Sequence, residues 1–209
     1  MFMSRVRILA ALVAASAVTP AVAQEGAAPA AEEEVSAIDS ATDFARSLID
    51  EASQTLTNES LSEEDRLQTF RTFLGEKMDL DFISRIVLAK RYRSEMTEEQ
   101  NQRYDAAFPA YMTRIYADQF DQIFGKPYSV VDSKPASRGD VFVATDFEVG
   151  DRRTLNVVWR IRNSDGENKI VDIIVQGGSI ITLKREEFSS FVAANGVDAL
   201  IETLEGEAA

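Results

Sequence analysis

Residues 168–188 read NKIVDIIVQGGSIITLKREEF. A β-branched run breaks at Gly177, Gly178 and Ser179, resumes for a few apolar residues, then enters a charged segment with helical spacing. The stretch predicts a sheet edge that meets a terminal helix. Adjacent glycines in a strand pattern allow a bulge or a sharp bend. They also let a ligand approach the backbone, where the Ser179 hydroxyl can hydrogen-bond a polar head. Bends account for most such glycines.

The pattern continues outward from this stretch. Residues 163–166 (Asn, Ser, Asp, Gly) form a turn, so residues 169–176 pair as a hairpin with the strand before them. In that strand Leu155, Val157, Trp159 and Ile161 share one side; in the preceding one Val141, Val143, Phe147 and Val149 do. Asp172 falls on the same side as Ile170 and Ile174. A carboxylate there is either paired to a base or an acid with a raised pKa, and pairing is the expectation. Residues 179–183 are short and apolar, and residues 186–204 close the chain as helix, broken at Gly196.

The half before Pro127 has helical periodicity. Ser40 with Asp43 predicts a helix start, followed by Phe44, Leu48 and Ala52 on one face. Ser62 with Asp65 caps a second helix that stops at Gly75, and residues 78–92 read as a third. Thr97 with Gln100 caps the longest, residues 97–124, kinked or divided by Pro109 and ended by Gly125 before Pro127. Helices followed by an antiparallel meander make an α+β fold.

Composition narrows the function. Arg5 and Arg7, an eleven-residue apolar core over residues 8–18 and a small-residue site at Ala21, Val22 and Ala23 predict an export signal at residues 1–23. The two arginines are not adjacent, which favours the general secretory route. Eleven apolar residues are too few to span a bilayer. Residues 24–38, rich in Ala and Glu, are expected to be a disordered leader, leaving residues 39–205 as one domain.

The chain carries a net charge of -13, and loss of Arg5 and Arg7 with the signal makes it -15, which disfavours nucleic acid as a partner. It has no histidine and no cysteine, so it lacks a Ser-His-Asp triad, a thiol nucleophile and a Cys/His zinc site. Carboxylates, tyrosines and lysines remain as catalytic options; an isomerase-type site would pair an Asp such as Asp172 with a tyrosine such as Tyr116. Arg85, Lys90, Arg91 and Arg93 form a basic cluster in this acidic chain. Such a run is usually a solvated helix face, and it is also a candidate for docking an acidic partner or a phosphate. The longest helix offers Phe108, Tyr111, Met112, Ile115, Tyr116, Phe120, Ile123 and Phe124, which can form a packed core or line a cavity. The residues alone leave both open.

Lys169, Asp172, Gly177, Ser179, Arg185 and Phe188 follow the order and spacing of the C-terminal pattern of the MlaC family of periplasmic phospholipid-binding proteins, also called toluene-tolerance or ABC-transporter auxiliary proteins. Gly196, Val197 and Asp198 with Leu200, Ile201 and Leu204 are similar to its closing segment. Met78, Asp79, Phe82, Ile83, Val87, Leu88, Arg91, Tyr92 and Arg93 resemble its middle helix, and Gln100 and Phe108 the start of its long one. Asn168 stands where the family often has Trp, Gln176 replaces a Glu, Gly178 a Val and Lys184 a Tyr. The resemblance covers residues 40–204.

It implies an NTF2-like α+β fold in which helices and a curved antiparallel sheet surround an apolar lipid pocket. It further implies a periplasmic carrier, not an enzyme, that needs no cofactor beyond its phospholipid cargo. Its partners would be an inner-membrane ABC transporter with an MCE-domain subunit and an outer-membrane lipoprotein-porin complex, and its role the maintenance of outer-membrane lipid asymmetry. On that reading the expected tail contacts are Phe82, Ile86, Phe108, Met112, Ile115, Val141, Val143, Leu155, Val157, Trp159, Ile173, Val175 and Ile181, with Ser179 and Arg185 at the rim. The runner-up is an NTF2-like small-molecule enzyme built on Asp172 and Tyr116.

Overall fold

The computed structural model describes residues 27–120, 123–150 and 152–208. The export signal expected at residues 1–23 lies outside them. Helix α1 (Ala27–Leu56) buries Ala41, Ala45, Leu48, Ile49, Ala52 and Leu56 along one stripe. Three of those six are alanine, and so little side-chain bulk lets the helix lie close across β1 to β4. The helix begins inside the segment whose composition predicts disorder, so Ser40 is not a helix start but an interior residue. Ala and Glu are strong helix formers, and they extend the packed part outward as a helix exposed over residues 31–37.

Helix α2 (Glu63–Lys77) begins as predicted: the Ser62 hydroxyl accepts the Asp65 N–H at 3.1 Å. It runs past Gly75 to Lys77. The helix expected at 78–92 is instead two, α3 (Leu80–Val87) and α4 (Lys90–Glu95). Met78 bridges to Ile170 beside the sheet, and the Asp79 N–H donates to the Ile170 carbonyl at 2.9 Å, which delays the start. The Asp79 carboxylate then caps the Phe82 N–H. Leu88 is extended and fully buried, so burial of Val87 and Leu88 together overrides helix continuity.

Helix α5 (Glu98–Phe120) has the expected Thr97–Gln100 capping box, with Gln100 N to Thr97 Oγ1 at 3.2 Å and Thr97 N to Gln100 Oε1 at 2.8 Å. Pro109 sits inside it, and the Thr113 hydroxyl donates to the Pro109 carbonyl at 2.9 Å. Beyond α5, Gly125 adopts φ +81°, and its N–H donates to Ser53 Oγ. A Cβ there would come within 2.9 Å of Thr57 Cγ2, so only glycine fits between this turn and α1.

Five antiparallel strands follow as a meander in the order β1-β2-β3-β4-β5: β1 (Tyr128–Pro135), β2 (Val141–Glu148), β3 (Thr154–Ser164), β4 (Glu167–Val175) and β5 (Gly178–Ser179). Apolar alternation predicts β2 and β3 correctly: Val141, Val143 and Phe147 face the core, as do Val157, Trp159 and Ile161. β4 departs from it. Ile161 pairs with Ile170 and Arg160 with Asp172, so Val171 is an extra residue in a bulge. Asp172 therefore shares a face with Ile174 but not with Ile170. The glycine break is a two-residue hairpin turn: Gln176 and Gly177 both have positive φ (49° and 83°), and Val175 pairs with Gly178. The chain enters helix α6 (Ile180–Asn195) immediately after β5, so residues 180–183 are helical, not strand-like. Helix α7 (Val197–Ala208) packs along α5, where Arg103 grips Glu205 through two hydrogen bonds of 2.9 and 2.7 Å.

Away from the core, Asp140 anchors the second face of the sheet. Its carboxylate is wholly buried and accepts from Arg160 at 2.7 Å and from Arg162 at 2.6 and 2.9 Å. The Asp140→Ala variant would leave two guanidiniums without their partner. We expect a loss of about 2–3 kcal/mol in urea unfolding, below the 3–5 kcal/mol typical of a fully buried pair, because both arginines keep some contact with water.

Candidate functional site: the apolar layer beneath helix α5

Among the described residues the near backbone neighbours of α5 are α2, α3 and α7, and its backbone approaches the strands little. Large side chains fill the intervening layer. Phe120 and Phe124 lie over Trp159 with ring centroids 6.1 and 6.3 Å away, and Phe124 meets Phe147 edge-on at 6.3 Å. Tyr116 continues the row 6.2 Å from Phe120. The Trp159 indole N–H donates to Thr145 Oγ1 at 3.0 Å, and that hydroxyl donates to the Val157 carbonyl, so the polar atoms of the layer are satisfied.

Of the predicted tail contacts, Phe108, Met112, Val141, Val143, Val157, Trp159, Ile173 and Ile181 are buried in this one core. Val143, Trp159 and Ile173 stand side by side across three strands. Ile86, Ile115, Leu155 and Val175 are half-buried at its margin. Phe82 packs elsewhere as well: its ring lies 4.1 Å from the Arg162 guanidinium, whose side chain is on the opposite sheet face from Trp159. Ser179 is half-buried and Arg185 exposed. Phe120, Phe124, Phe147 and Tyr116 belong to the same layer and were not among the predicted contacts. Their helical and alternating spacing marks them as core, which is the signal that could have added them.

Five described surface clefts are lined by other residues, two of them, of about 450 and 310 Å³, along the exposed start of α1 and on α2. One of about 580 Å³ lies between α1 and the β3–β4 hairpin, beside Glu33, Ser40, Asn163 and Asn168. Another of about 390 Å³ runs between α2 and α5, and one of about 370 Å³ adjoins Pro127 and Arg153. None includes a predicted tail contact. Beneath α5 the predicted contacts that are buried pack against one another in a single apolar cluster.

Asp172 is held by a hydroxyl and the backbone, not by a base. Its carboxylate accepts from Ser179 Oγ at 2.7 Å, Ile173 N at 2.8 Å and Ile181 N at 3.3 Å. Burial pushes its pKa up, and these hydrogen bonds and the Arg160 charge only partly offset that. The opposing Arg160 is bound to Asp140 instead. Burial also drives the Tyr116 phenol above its ordinary range. No described cleft brings a carboxylate and a tyrosine together. In the basic cluster, Arg93 is committed to Asp105 at 2.6 Å, Asn101 at 3.0 Å and the Tyr104 ring. Among the described residues no group of three or more acidic side chains is placed to hold a metal.

The family model described as MlaC protein matches residues 46–206. The chain belongs to the MlaC family. The toluene tolerance protein Ttg2D of Pseudomonas putida is a relative, 27% identical over 133 residues, a match that takes in 64% of this chain and 61% of that protein's length. A phospholipid-binding protein from Ralstonia solanacearum, solved in complex with a phospholipid, has the same fold. That likeness has a TM-score of 0.67 at 18% identity, over 80% of this chain and 96% of that one. The α+β MlaC fold, with its open antiparallel sheet, is therefore the fold of this chain.

Asp172 gives a pH signature. Because its folded pKa is raised, its contribution favours the folded state at low pH and is lost as pH rises through the folded value. The stability of the wild type relative to Asp172→Asn should rise as pH falls from neutral toward the ordinary carboxylate value of 3.8. Urea unfolding of both proteins across that range checks the sign.

Proposed function

We propose that this protein is a periplasmic phospholipid carrier whose acyl-chain site is the layer between α5 and the sheet. One observation supports this most: the space between α5 and the strands is filled mainly by large apolar and aromatic side chains, with their few polar atoms hydrogen-bonded. Side chains can change rotamer and admit a guest, whereas a backbone packed directly on the strands cannot give way without breaking the fold. The likeness to a fold solved with bound phospholipid points the same way.

The energetics explain why such a carrier encloses its cargo. Two tails of about 15 methylenes each, at about 0.8 kcal/mol per CH₂, cost over about 20 kcal/mol to expose to water. Free diffusion is negligible on that scale. Enclosure needs no bond-making, which suits a chain without histidine or cysteine. Loading then depends on a partner or membrane that stabilises an open state over the closed one. Within this reading the signal at residues 1–23 directs export. The shuttle runs between the outer-membrane lipoprotein-porin complex and the MCE-domain ABC transporter, and so maintains outer-membrane asymmetry.

The full chain should be exported with its own signal, purified without detergent and extracted for mass spectrometry. Near-stoichiometric phospholipid is the expected result. A lipid-free protein that also takes none from liposomes would contradict the proposal.

A further inference from the structure

The seam between α5 and α6 is closed almost entirely by side chains, because the two helices hardly approach through their backbones. Phe188 of α6 sits against Tyr111 and Phe108 of α5, at centroid distances of 5.8 and 6.3 Å. Lys184, one helical turn earlier, completes the closure. Its ammonium donates to the Tyr111 hydroxyl at 3.1 Å and to the Glu187 carboxylate at 2.8 Å, and it lies 5.3 Å from the Tyr111 ring centroid.

Exposure is graded along this line. Tyr111 is 5% exposed, the Lys184 side chain 13% and the Glu187 side chain 56%. Apolar interior, cation and water follow one another within a few ångströms. A phospholipid has the matching order of tails, phosphate and solvated head. Further along α5, Tyr116 and Phe120 lead to Trp159, and Phe120 lies about 14 Å from Tyr111 along the helix axis.

We infer that the α5–α6 seam is the lipid entrance and that Lys184 takes the phosphate of the phospholipid there. This rests on the carrier reading above and assigns its polar end. An ammonium has three N–H donors, and two are engaged here. Glu187 is exposed, so exchanging its carboxylate for a phosphate costs little. Burial opposes the charge of Lys184, but its hydrogen bonds to Glu187 and Tyr111 outweigh it and hold its pKa above the ordinary value. In a chain of net charge -13, a cation at the mouth offsets the repulsion that an anionic headgroup otherwise meets.

The competing account makes Lys184 a pair for Glu187 three residues on and nothing more. Purified wild type, Lys184→Met and Lys184→Arg would be stripped of lipid and offered vesicles of equal phosphatidylethanolamine and phosphatidylglycerol. Lipid taken up would be counted by mass spectrometry and melting temperature recorded. We expect about tenfold lower affinity in Lys184→Met, with phosphatidylglycerol losing most, and recovery in Lys184→Arg, at nearly constant melting temperature. Excess inorganic phosphate should not compete, because the tails supply most of the binding.

Loading of Lys184→Met equal to wild type, with the same headgroup ratio, would overturn the inference and leave the carrier reading standing. Complete competition by inorganic phosphate would make the seam a free-phosphate site and overturn it as well. A wild type that takes up no lipid would remove both.

Discussion

The distance between α5 and the sheet governs this structure. Helix α1 settles closely on the strands because its buried stripe is built on alanine, whereas α5 presents tyrosine, phenylalanine and methionine and is held off by their bulk. The same bulk makes the interior adaptable. Aromatic contacts at centroid distances near 6 Å each contribute about 0.5–1.5 kcal/mol beyond the area they bury, so rearranging one or two is affordable. Acyl chains entering in their place, as proposed above, would keep the layer apolar. On the proposed carrier reading, that adaptability is what would let the layer admit a guest without unfolding.

Polar groups fix the frame around that layer. Asp140 with Arg160 and Arg162 ties β2 to β3 on the second face, and Arg103 with Glu205 ties α5 to α7. Asp172 and Ser179 fasten the start of α6 to β4, and Ser179 also caps α6 by accepting the Thr182 N–H at 3.1 Å. The spacing of Asp172, Gly177 and Ser179 in the sequence thus has a physical meaning. The two-residue hairpin turn at Gln176 and Gly177, within the six residues that separate Asp172 from Ser179, brings hydroxyl and carboxylate to 2.7 Å.

Much of this was legible in the sequence where the signal is local. The Ser62–Asp65 and Thr97–Gln100 boxes mark helix starts because the side chains that satisfy the first N–H groups lie three residues apart. Alternation marks β2 and β3 because one face is buried along their length. Long-range causes left no such mark. The bulge at Val171 shifts the pairing of β4 by one residue and reverses the side of Asp172, and only the partner strand reveals it. The break between α3 and α4 follows from the bridge of Met78 to Ile170 and the burial of Leu88. β1 has weak alternation, since it is an edge strand with much of its length exposed. The candidate site shows the same division: the apolar residues were readable, but not that they pack against one another in one layer, nor that Phe82 turns toward Arg162.

Trp159 is the chain's only tryptophan and lies at the centre of the layer, so its fluorescence reports directly on occupancy. Protein loaded with phospholipid brominated midway along its acyl chains should show strongly quenched Trp159 emission, relative to the same protein loaded with unbrominated lipid. Equal emission from the two samples, at equal lipid content, would contradict an acyl-chain site between α5 and the sheet.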